Sequence, residues 1–351
     1  NRNISQYRRK DGEEMEVTIK DIAADAGVSV STVSRVMNDS KSVSPELKKR
    51  VMASIEKFHF RPNAAARSLV TKNTGLVAVL EADVRNPITA IHLKQISDVC
   101  MKHNKVVIVC DYDFNQEKAL LLMDNMLERN IDGLIFQGVH LTDEILKKLR
   151  RFECPVVLGN QGPPEDMSCE FPAVTVDSYN AARDMTKFLI SEGHKHIAYV
   201  GGNKEDYTNG TLRLRGFLDA MKEADLPVQD SYIYQGGFTP EDGEKGMNQI
   251  YENSLDLPTA VIAGSDIIAV GVIRCLKAHK LKVPEDISVA GFDDSISDIY
   301  EPQLSTVKMF DQGEIFYDAL FGDKEAGKNT SKWNYFPYQI VRRSSTRRIN
   351  V

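Results

Sequence analysis

The sequence lacks any apolar run long enough to cross a bilayer, and its first residues are polar and charged. It therefore predicts neither a membrane span nor a secretory signal. Cysteines are few, five in 351 residues, and none forms a CxxC pair or lies beside a histidine cluster. They are expected to be reduced, mostly buried thiols in a cytoplasmic protein.

The usual sequence signatures of an enzyme are missing as well. No GxxxxGK[ST] loop is present, and no GxGxxG follows the first predicted strand. His194 and His196 stand where a helix runs into a strand, so their side chains should diverge, which predicts structural or solvated histidines and no metal site. Asp293 and Asp294 are chain neighbours at a strand end and do not by themselves make a catalytic pair. The sequence predicts no enzyme, no metal and no cofactor.

The charge is distributed unevenly along the chain. Residues 16–72 hold ten Lys or Arg and six Asp or Glu, and residues 1–15 hold four and three. The remainder then carries −11 within a net charge of −6. A basic head on an acidic body is typical of a DNA-contacting module attached to a second, larger part.

The stretch from Thr18 to Asn38 predicts two short helices joined by a tight turn. Thr18 is a good N-cap residue, with Asp21 in the first turn where the helix dipole favours an acid. Gly27 follows where the chain must leave the first helix, since glycine adopts positive φ without strain. Ser29 is the predicted cap of the second helix.

The second helix begins with small, mostly uncharged residues on its outer side: Val30, Ser31, Thr32, Ser34 and Arg35. An ordinary helical hairpin is one interpretation of this pattern. The other is a helix that enters the major groove of DNA, where small side chains allow close approach and one Arg can bind guanine.

Two further segments complete the head. Ser44-Pro45-Glu46 predicts the start of a third helix, with Leu47 and Val51 among its inward residues. Asn63 is a candidate cap for a short helix, AAARSL, that ends at Leu69 and is too short to be stable alone in water. A plain linker is the alternative for this segment.

From Thr74 onward, apolar runs of four or five residues alternate with amphipathic helical segments in two successive series. The predicted strands are 76–80, 106–110, 133–136, 155–158, 173–176, 196–201, 260–264 and 287–294. The predicted helices lie near 89–103, 116–129, 143–152, 178–192, 211–224 and 266–279. Such a pattern indicates parallel strands covered on both faces in two doubly wound lobes, with ligands expected at the carboxyl ends of the strands and between the lobes.

These segments, read together, resemble the lactose-repressor (LacI/GalR) family of bacterial transcription regulators. The resemblance rests on TIKDIAADAGVSVSTVSRVMN in the head and, in the body, on VDSYNAARDMTKFLISEGHKHIAYVGG, LRLRGFLDAM, the run from Pro258 to Asp294, and PQLSTVK. It implies an all-α helix-turn-helix head and an α/β body of the periplasmic-binding-protein fold. It also implies a homodimeric repressor that binds palindromic double-stranded operator DNA in the bacterial cytoplasm, at the nucleoid, under the control of a small sugar-like effector.

In the head, the resemblance implies that Val30, Ser31 and Arg35 read bases. The remaining DNA contacts that it implies are Thr18, Ser29, Thr32, Ser34, Asn38, Asn63, Arg67 and Leu69. Leu69 corresponds to the family's hinge-helix leucine, which wedges into the minor groove when the hinge folds on DNA.

In the body, the resemblance implies that Arg213 hydrogen-bonds the effector, that Asp293 accepts from its hydroxyl groups and that Phe238 packs on its apolar face. The other implied effector-site residues are Asn86, Pro87, Asn160, Ser265 and Asp266. The family commonly has Asp where this chain has Asn160, and Asn where it has Ser265. The sequence leaves a sugar, a sugar phosphate, a nucleobase or another effector open.

The expected organisation has four parts. They are a disordered leader (1–15), a helix-turn-helix head (16–61), a hinge helix with its linker (62–73) and a body (74–345) whose N-lobe takes about 74–176 and 309–334 and whose C-lobe takes about 177–308 and 335–345. The body alone would also suit a solute-binding protein for a small polar ligand, although the basic head argues against that alternative.

Overall fold

The computed structural model describes residues 17–37, 43–60, 73–138, 140–322 and 333–349. The chain divides into two compact units, Asn1–Thr74 and Gly75–Val351. Across the described ranges, no helix has the length and apolarity needed to span a membrane. All five cysteines are free thiols, and four of them are buried.

The described part of the head contains three helices: α1 (Ile19–Ala26), α2 (Val30–Met37) and α3 (Pro45–Lys57). They share one core in which Ile22, Val33 and Val51 are fully buried. Burial of a common apolar cluster is what stabilises helices that are too short to persist alone.

The turns of the head form as the sequence predicts. The backbone N–H of Thr18 donates to Asp21 Oδ2 at 2.9 Å, at the start of α1. Gly27 ends α1 in the left-handed conformation, with φ +63°. The Ser44 hydroxyl accepts from the backbone N–H of Leu47 at the start of α3.

The first sheet of the body is parallel and has the order β11-β5-β4-β3-β1-β2. Its strands are β1 (Leu76–Glu81), β2 (Val106–Asp111), β3 (Gly133–Gln137), β4 (Val156–Gly159), β5 (Ala173–Val176) and β11 (Trp333–Phe336). Its helices are α4 (Pro87–Lys102), α5 (Gln116–Glu128), α6 (Asp143–Leu149) and α11 (Gly313–Phe321). We call this half the N-lobe.

The second sheet is also parallel, in the order β7-β6-β8-β9, and we call its half the C-lobe. Its strands are β6 (Ile197–Gly201), β7 (Ile233–Gln235), β8 (Ala260–Ala263) and β9 (Ser288–Ala290). Its helices are α7 (Ser178–Ser191), α8 (Leu212–Glu223), α9 (Pro240–Asn253) and α10 (Asp266–Ala278). A π-helical turn (Tyr207–Thr211) precedes α8, and a 3₁₀ turn (Asp230–Tyr232) precedes β7.

The chain passes between the lobes more than once. After β9 it forms β10 (Thr306–Met309), returns to the N-lobe through α11 and β11, and ends with β12 (Tyr338–Val341), which pairs antiparallel with β10. In the N-lobe α11 packs on α4, and β11 pairs with β5. The two lobes are therefore joined by several connections, an arrangement that permits a hinge between them.

The predicted fold class is confirmed: a helical head precedes an α/β body with two parallel sheets. One prediction about β2 is wrong, because β2 is an edge strand whose Val106 and Val109 are 62% and 42% exposed. The sequence analysis also missed β7, which has only three residues, α9, and the elements that follow β9, namely β10, α11, β11 and β12. Glycines obscure the helical pattern of α9; a Cβ on Gly243 would lie 2.2 Å from the Ile268 carbonyl oxygen, so only glycine lets α9 approach α10 this closely.

Candidate functional site

The outer side of α2 carries the residues predicted to read bases. Val33 and Val36 bury the inner side, whereas Ser31 and Arg35 are exposed and Val30 is 41% exposed. An exposed valine beside a serine and an arginine offers one apolar contact and one cation on a helix face with small side chains. This is the surface that suits a thymine methyl and a guanine edge in the major groove.

Hydroxyl groups cluster at the start of α2. Ser29 Oγ accepts from the backbone N–H of Thr32 at 3.2 Å and lies 2.8 Å from Ser31 Oγ and 2.9 Å from Thr32 Oγ1. The Thr18 hydroxyl donates to Asp21 Oδ2 at 2.7 Å, and Ser34 is half-buried. Thr18 and Ser29 thus have a helix-capping role, and their predicted DNA contacts would come in addition to it.

Arg50 was not singled out by the sequence analysis. Its Nη2 donates to the carbonyl oxygens of Ala26 and Gly27, at 2.6 and 3.3 Å, and so fixes the C-terminal end of α1 before the turn. Four of the predicted DNA contacts lie outside the described residues: Asn38, Asn63, Arg67 and Leu69. The predicted hinge helix lies there too.

A cavity of about 120 Å³, partly open to solvent, lies between the N-lobe and the C-lobe. Residues at the carboxyl ends of β1, β3, β4 and β5 line it from the N-lobe, where parallel sheets usually bind ligands. Six of the eight predicted effector-site residues line this cavity: Asn86, Asn160, Arg213, Phe238, Ser265 and Asp293.

The structure does not place Pro87 and Asp266 in the cavity lining. Pro87 is the first residue of α4, directly after Asn86, which caps that helix. The Asp266 side chain is fully buried, and its carboxylate accepts from the Thr306 hydroxyl, the Ser297 hydroxyl and the Ser295 backbone N–H, at 2.8, 2.6 and 2.8 Å. These three donors turn the carboxylate toward the C-lobe interior, so Asp266 supports the cavity wall.

Arg213 is almost completely buried, and several contacts hold its guanidinium in place. Its Nη1 donates to the Gly264 carbonyl oxygen, its Nη2 donates to Asn209 Oδ1 at 2.9 Å, and its Nε lies 3.4 Å from the Ser178 hydroxyl. The guanidinium carbon lies 3.6 Å from the centroid of the Phe292 ring. Stacking and hydrogen bonding together fix the plane of the guanidinium, which favours directional contact with a ligand.

Asp293 faces this arginine across the C-lobe end of the cavity, with 3.9 Å between Asp293 Oδ1 and Arg213 Nη1. Burial raises the pKa of the Asp293 carboxyl well above its usual range, although the Arg213 charge favours the ionised form. Its φ of +113° is unusual for a residue other than glycine. Such backbone geometry is concentrated at functional sites.

The N-lobe wall contains a polar group that the sequence analysis did not find. Asn160 Nδ2 donates both to His92 Nδ1, at 3.0 Å, and to Gln137 Oε1, at 2.9 Å. Burial lowers the pKa of His92 to about 3, so the imidazole is neutral at physiological pH. Gln137 ends β3 and Glu81 ends β1. Inspection of the residue that directly follows each predicted strand would have found both, whereas His92 gives no such signal on α4.

Asp206 and Asn209, at the π-helical turn, are a second group that the sequence analysis missed. Asp206 accepts from the backbone and side-chain amides of Asn209, at 2.8 and 3.0 Å, and burial raises its pKa to about 6. Asn209 Nδ2 also donates to the Asn160 carbonyl oxygen at 3.1 Å. The Gly162 N–H donates to Thr208 Oγ1 at 2.9 Å. The turn therefore links the C-lobe directly to the N-lobe.

Each lobe supplies one phenyl ring to the cavity. Phe238 comes from the C-lobe and packs against Gly202. Phe114 comes from the N-lobe, is 48% exposed and has φ +54°. The sequence analysis predicted Phe238 and missed Phe114.

The two histidines of EGHKH lie in different surroundings. His194 is buried, with Nδ1 2.9 Å from Thr259 Oγ1 and Nε2 3.1 Å from the Arg347 carbonyl oxygen, while His196 is exposed. Asp294 is paired with Arg343 at 2.7 Å. In the part of the chain that the structure describes, no three His, Cys, Asp or Glu side chains come together as a metal site.

Family models match two parts of the chain. Residues 18–63 match the bacterial regulatory proteins of the lacI family, and residues 186–346 match a periplasmic binding protein-like domain. Catabolite control protein A of Priestia megaterium is 37% identical over 338 residues, which cover 95% of this chain and 100% of the relative. The HTH-type transcriptional repressor PurR of Histophilus somni is 32% identical over 332 residues, covering 93% of this chain and 98% of the relative.

Solved structures agree with these relatives. The lac repressor dimer bound to operator and the anti-inducer ONPF matches with a TM-score of 0.81 and 25% identity, covering 94% of this chain and 99% of that chain. The transcriptional regulator CelR in complex with cellobiose matches with a TM-score of 0.68, 25% identity and the same coverage. The chain belongs to the lacI family of bacterial regulatory proteins and is a DNA-binding regulator of transcription, not an enzyme.

Proposed function

We propose that the protein is a homodimeric repressor that binds a palindromic operator, and that a sugar or sugar derivative bound between the lobes controls this binding. The observation that carries the proposal is the interlobe cavity, in which the fixed guanidinium of Arg213 faces the carboxyl of Asp293. A donor and an acceptor fixed at this spacing suit a ligand with several hydroxyl groups. The complex of CelR with cellobiose supports a ligand of this class.

Two heads are needed for specificity, because one α2 helix contacts few base pairs and two-fold symmetry would match a palindrome. The edge of the N-lobe sheet supports a homodimer. Val106 and Val109 on β2, with Met101 at the end of α4, are exposed apolar side chains close together in the chain. An uncovered apolar edge strand favours association with a partner.

The mechanism that we propose is linkage between the cavity and the operator. We propose that the effector changes the angle between the two lobes. The N-lobe is taken as 74–176 with 309–334, and the C-lobe as 177–308 with 335–345. A ligand shifts that angle only through different contacts with the two arrangements. The predicted hinge helices, including Leu69, would convey the change to paired heads in the bacterial cytoplasm, at the nucleoid.

Fluorescence anisotropy with labelled operator DNA tests this proposal. Candidate operators come from sequence selection, and binding is measured across a salt series with and without sugars, sugar phosphates and purines. We expect sequence-selective binding that one compound shifts, and the sign of the shift distinguishes an inducer from a corepressor. If selection yields no sequence that binds better than random DNA, the proposal is wrong.

The Arg35→Ala variant tests the role of α2. It should abolish selective binding while weak, salt-sensitive binding persists, because phosphate contacts give affinity and base contacts give sequence preference. Arg151→Ala removes the same charge from an exposed site on the body and should leave operator binding unchanged. If selective and non-selective binding fall together in Arg35→Ala, Arg35 is a phosphate contact.

A further inference from the structure

The body has a second concavity, of about 580 Å³, whose lining differs from that of the interlobe cavity. Its N-lobe side consists of Pro163, Pro164 and part of β11, and its C-lobe side includes the first turns of α7 and α8. Val176 is the one described residue that lines both concavities. The volume lies in the range of small-molecule pockets, about 300–1,000 Å³. We call this second concavity the lateral groove.

The lateral groove lies away from the edge strand that we assign to the dimer. β11 and β2 are the two opposite edges of the N-lobe sheet, and the groove is at β11. Association through the exposed apolar side chains of β2 therefore does not cover it. A ligand could reach the groove in the proposed homodimer.

Four of the lining residues are aromatic: Tyr179, Tyr207, Trp333 and Tyr335. Trp333 and Tyr335 are two residues apart on β11, and their rings stack with centroids 5.9 Å apart and planes at 24°. A Cβ on Gly162 would lie 2.0 Å from Trp333 Cη2, so the indole can approach the backbone this closely only because residue 162 is glycine. The Tyr335 side chain remains 50% exposed. The groove thus offers aromatic surface to a ligand.

Carboxylates lie close to these rings. Burial raises the pKa of the Tyr207 phenol, and the charge of Glu165 raises it further. Burial and then the charge of Asp177 raise the pKa of Tyr335 in the same way. Both Glu165 and Asp177 also belong to the lining of the groove. The rings therefore lie in a negative electrostatic environment.

Arg215 is the one cation among the described residues of this lining. Its Nη1 lies 3.4 Å from Glu165 Oε1, so these two charges offset each other and Asp177 leaves the lining with a net charge of −1. The guanidinium carbon lies 6.0 Å from the centroid of the Tyr179 ring, a distance at which a ring face attracts a cation. One ring of the groove already has a cation near it.

Aromatic faces beside carboxylates favour one class of ligand. The face of an aromatic ring carries partial negative charge, so it attracts cations and disfavours phosphates and carboxylates. An ordinary ammonium group is strongly hydrated and needs hydrogen-bond acceptors when it loses that water. A nitrogen substituted with alkyl groups keeps the charge and places apolar surface against the rings. Quaternary ammonium groups are recognised by aromatic rings in this way.

We propose that the lateral groove is a binding site for a small organic cation with an alkylated nitrogen, such as a trimethylammonium compound, and that this nitrogen contacts the rings of Trp333, Tyr335 and Tyr207. The inference goes beyond the proposed function, which involves neither this groove nor a cation.

Trp333 is the one tryptophan of the chain, so its fluorescence reports on the groove directly. The full chain is titrated with choline, with tetramethylammonium and with the uncharged isostere of choline, in which a tert-butyl group replaces the trimethylammonium group. Calorimetry is run alongside, and sodium chloride at matched concentration controls for ionic strength. We expect choline to bind, to change the tryptophan fluorescence and to bind at least about tenfold more tightly than the isostere, because the attraction depends on the charge.

Substitutions at Tyr335 test the aromatic contact. Its side chain is half exposed, so Tyr335→Leu should leave the fold intact and weaken choline binding about fivefold. Tyr335→Phe keeps the ring and should bind choline within about twofold of wild type, which a hydrogen bond from the phenol would not allow. Tyr251→Leu is the matched control, because Tyr251 is 36% exposed and lies outside the groove lining, and it should leave choline binding unchanged.

Several results would overturn the inference. Neither choline nor tetramethylammonium binds, the uncharged isostere binds as tightly as choline, or Tyr335→Leu keeps full affinity. Heat of binding without a change in Trp333 fluorescence would place the cation elsewhere on the body and would also contradict it. Operator selectivity measured by anisotropy is a separate result, so the proposed function and this inference can fail independently.

Discussion

Acidification should destabilise the protein through His92, and the effect can be isolated with one substitution. Burial holds the folded-state pKa of His92 at about 3, against an ordinary value of 6.5. The structure supplies a second reason for neutrality, because a proton on Nδ1 would face the amide donor of Asn160 at 3.0 Å. The unfolded chain therefore binds a proton at a pH where the folded chain does not.

The size and sign of the effect follow from that difference. Because the folded pKa is the lower one, stability is fully present above about pH 6.5 and is lost as the pH falls toward 3. Between pH 7 and pH 5, His92 should lower the free energy of unfolding by about 2 kcal/mol. Asp206 acts in the opposite direction. Its pKa is raised to about 6, so lowering the pH through 6 toward 3.8 stabilises the fold and partly masks His92 in the wild-type protein.

The measurement is therefore a difference between variants. Urea unfolding of wild type and His92→Gln, followed by far-UV circular dichroism at both pH values, should show the variant gaining about 2 kcal/mol relative to wild type at pH 5. His196→Gln is the matched control for replacing a histidine, because its imidazole is exposed. A pH-independent difference for His92→Gln would refute the argument that His92 is held neutral.

Three other substitutions test separate parts of the structure. Gly27→Ala forces alanine to φ +63° and places its Cβ 2.6 Å from Arg50 Nη2. It should lower the free energy of unfolding of the head by about 1–2 kcal/mol and weaken operator binding measured by anisotropy. Gly27→Asn should have a smaller effect, because asparagine tolerates this conformation better than alanine. Thr208→Val removes the acceptor of the Gly162 N–H and should lower the free energy of unfolding in urea by about 1–3 kcal/mol, whereas Thr208→Ser should not. Val109→Lys places a charge on the exposed edge strand and should shift sedimentation from dimer toward monomer; an unchanged dimer would place the interface elsewhere.

The sequence predicted most of the body because covered parallel strands appear as short apolar runs between amphipathic helices. The same rule failed at β2, whose apolar run has an exposed face in this chain. A run of valines looks the same in sequence whether a helix covers the strand or the strand lies uncovered at the edge of the sheet. It failed at α9 because the glycines that permit close packing on α10 also weaken the helical pattern. In both cases the outcome depends on tertiary contacts, and the periodicity of the sequence does not contain that information.

The cavity was predictable in part. Arg213 and Asp293 came from the family resemblance, while Glu81 and Gln137 follow from the rule that ligands lie at the carboxyl ends of parallel strands. Asp266 shows the limit of that rule, because its position next to a strand end does not reveal that three donors hold its carboxylate inside the C-lobe. The role of His92 depends on its contact with Asn160, 68 residues away, which only the folded chain provides.

Asn160 and Asn209 join ligand recognition to the arrangement of the lobes. Asn209 accepts from Arg213 Nη2 and donates to the Asn160 carbonyl oxygen, while the Asn160 side chain orients His92 and Gln137. Both asparagines line the cavity. A ligand that hydrogen-bonds Arg213 on one side and His92 or Gln137 on the other would compete with this interlobe link or reinforce it. Such a ligand would therefore change the preferred angle between the lobes. Differential contact of this kind is the requirement for a ligand to shift a conformational equilibrium, and here the side chains that we propose to bind the ligand are the ones that connect the lobes.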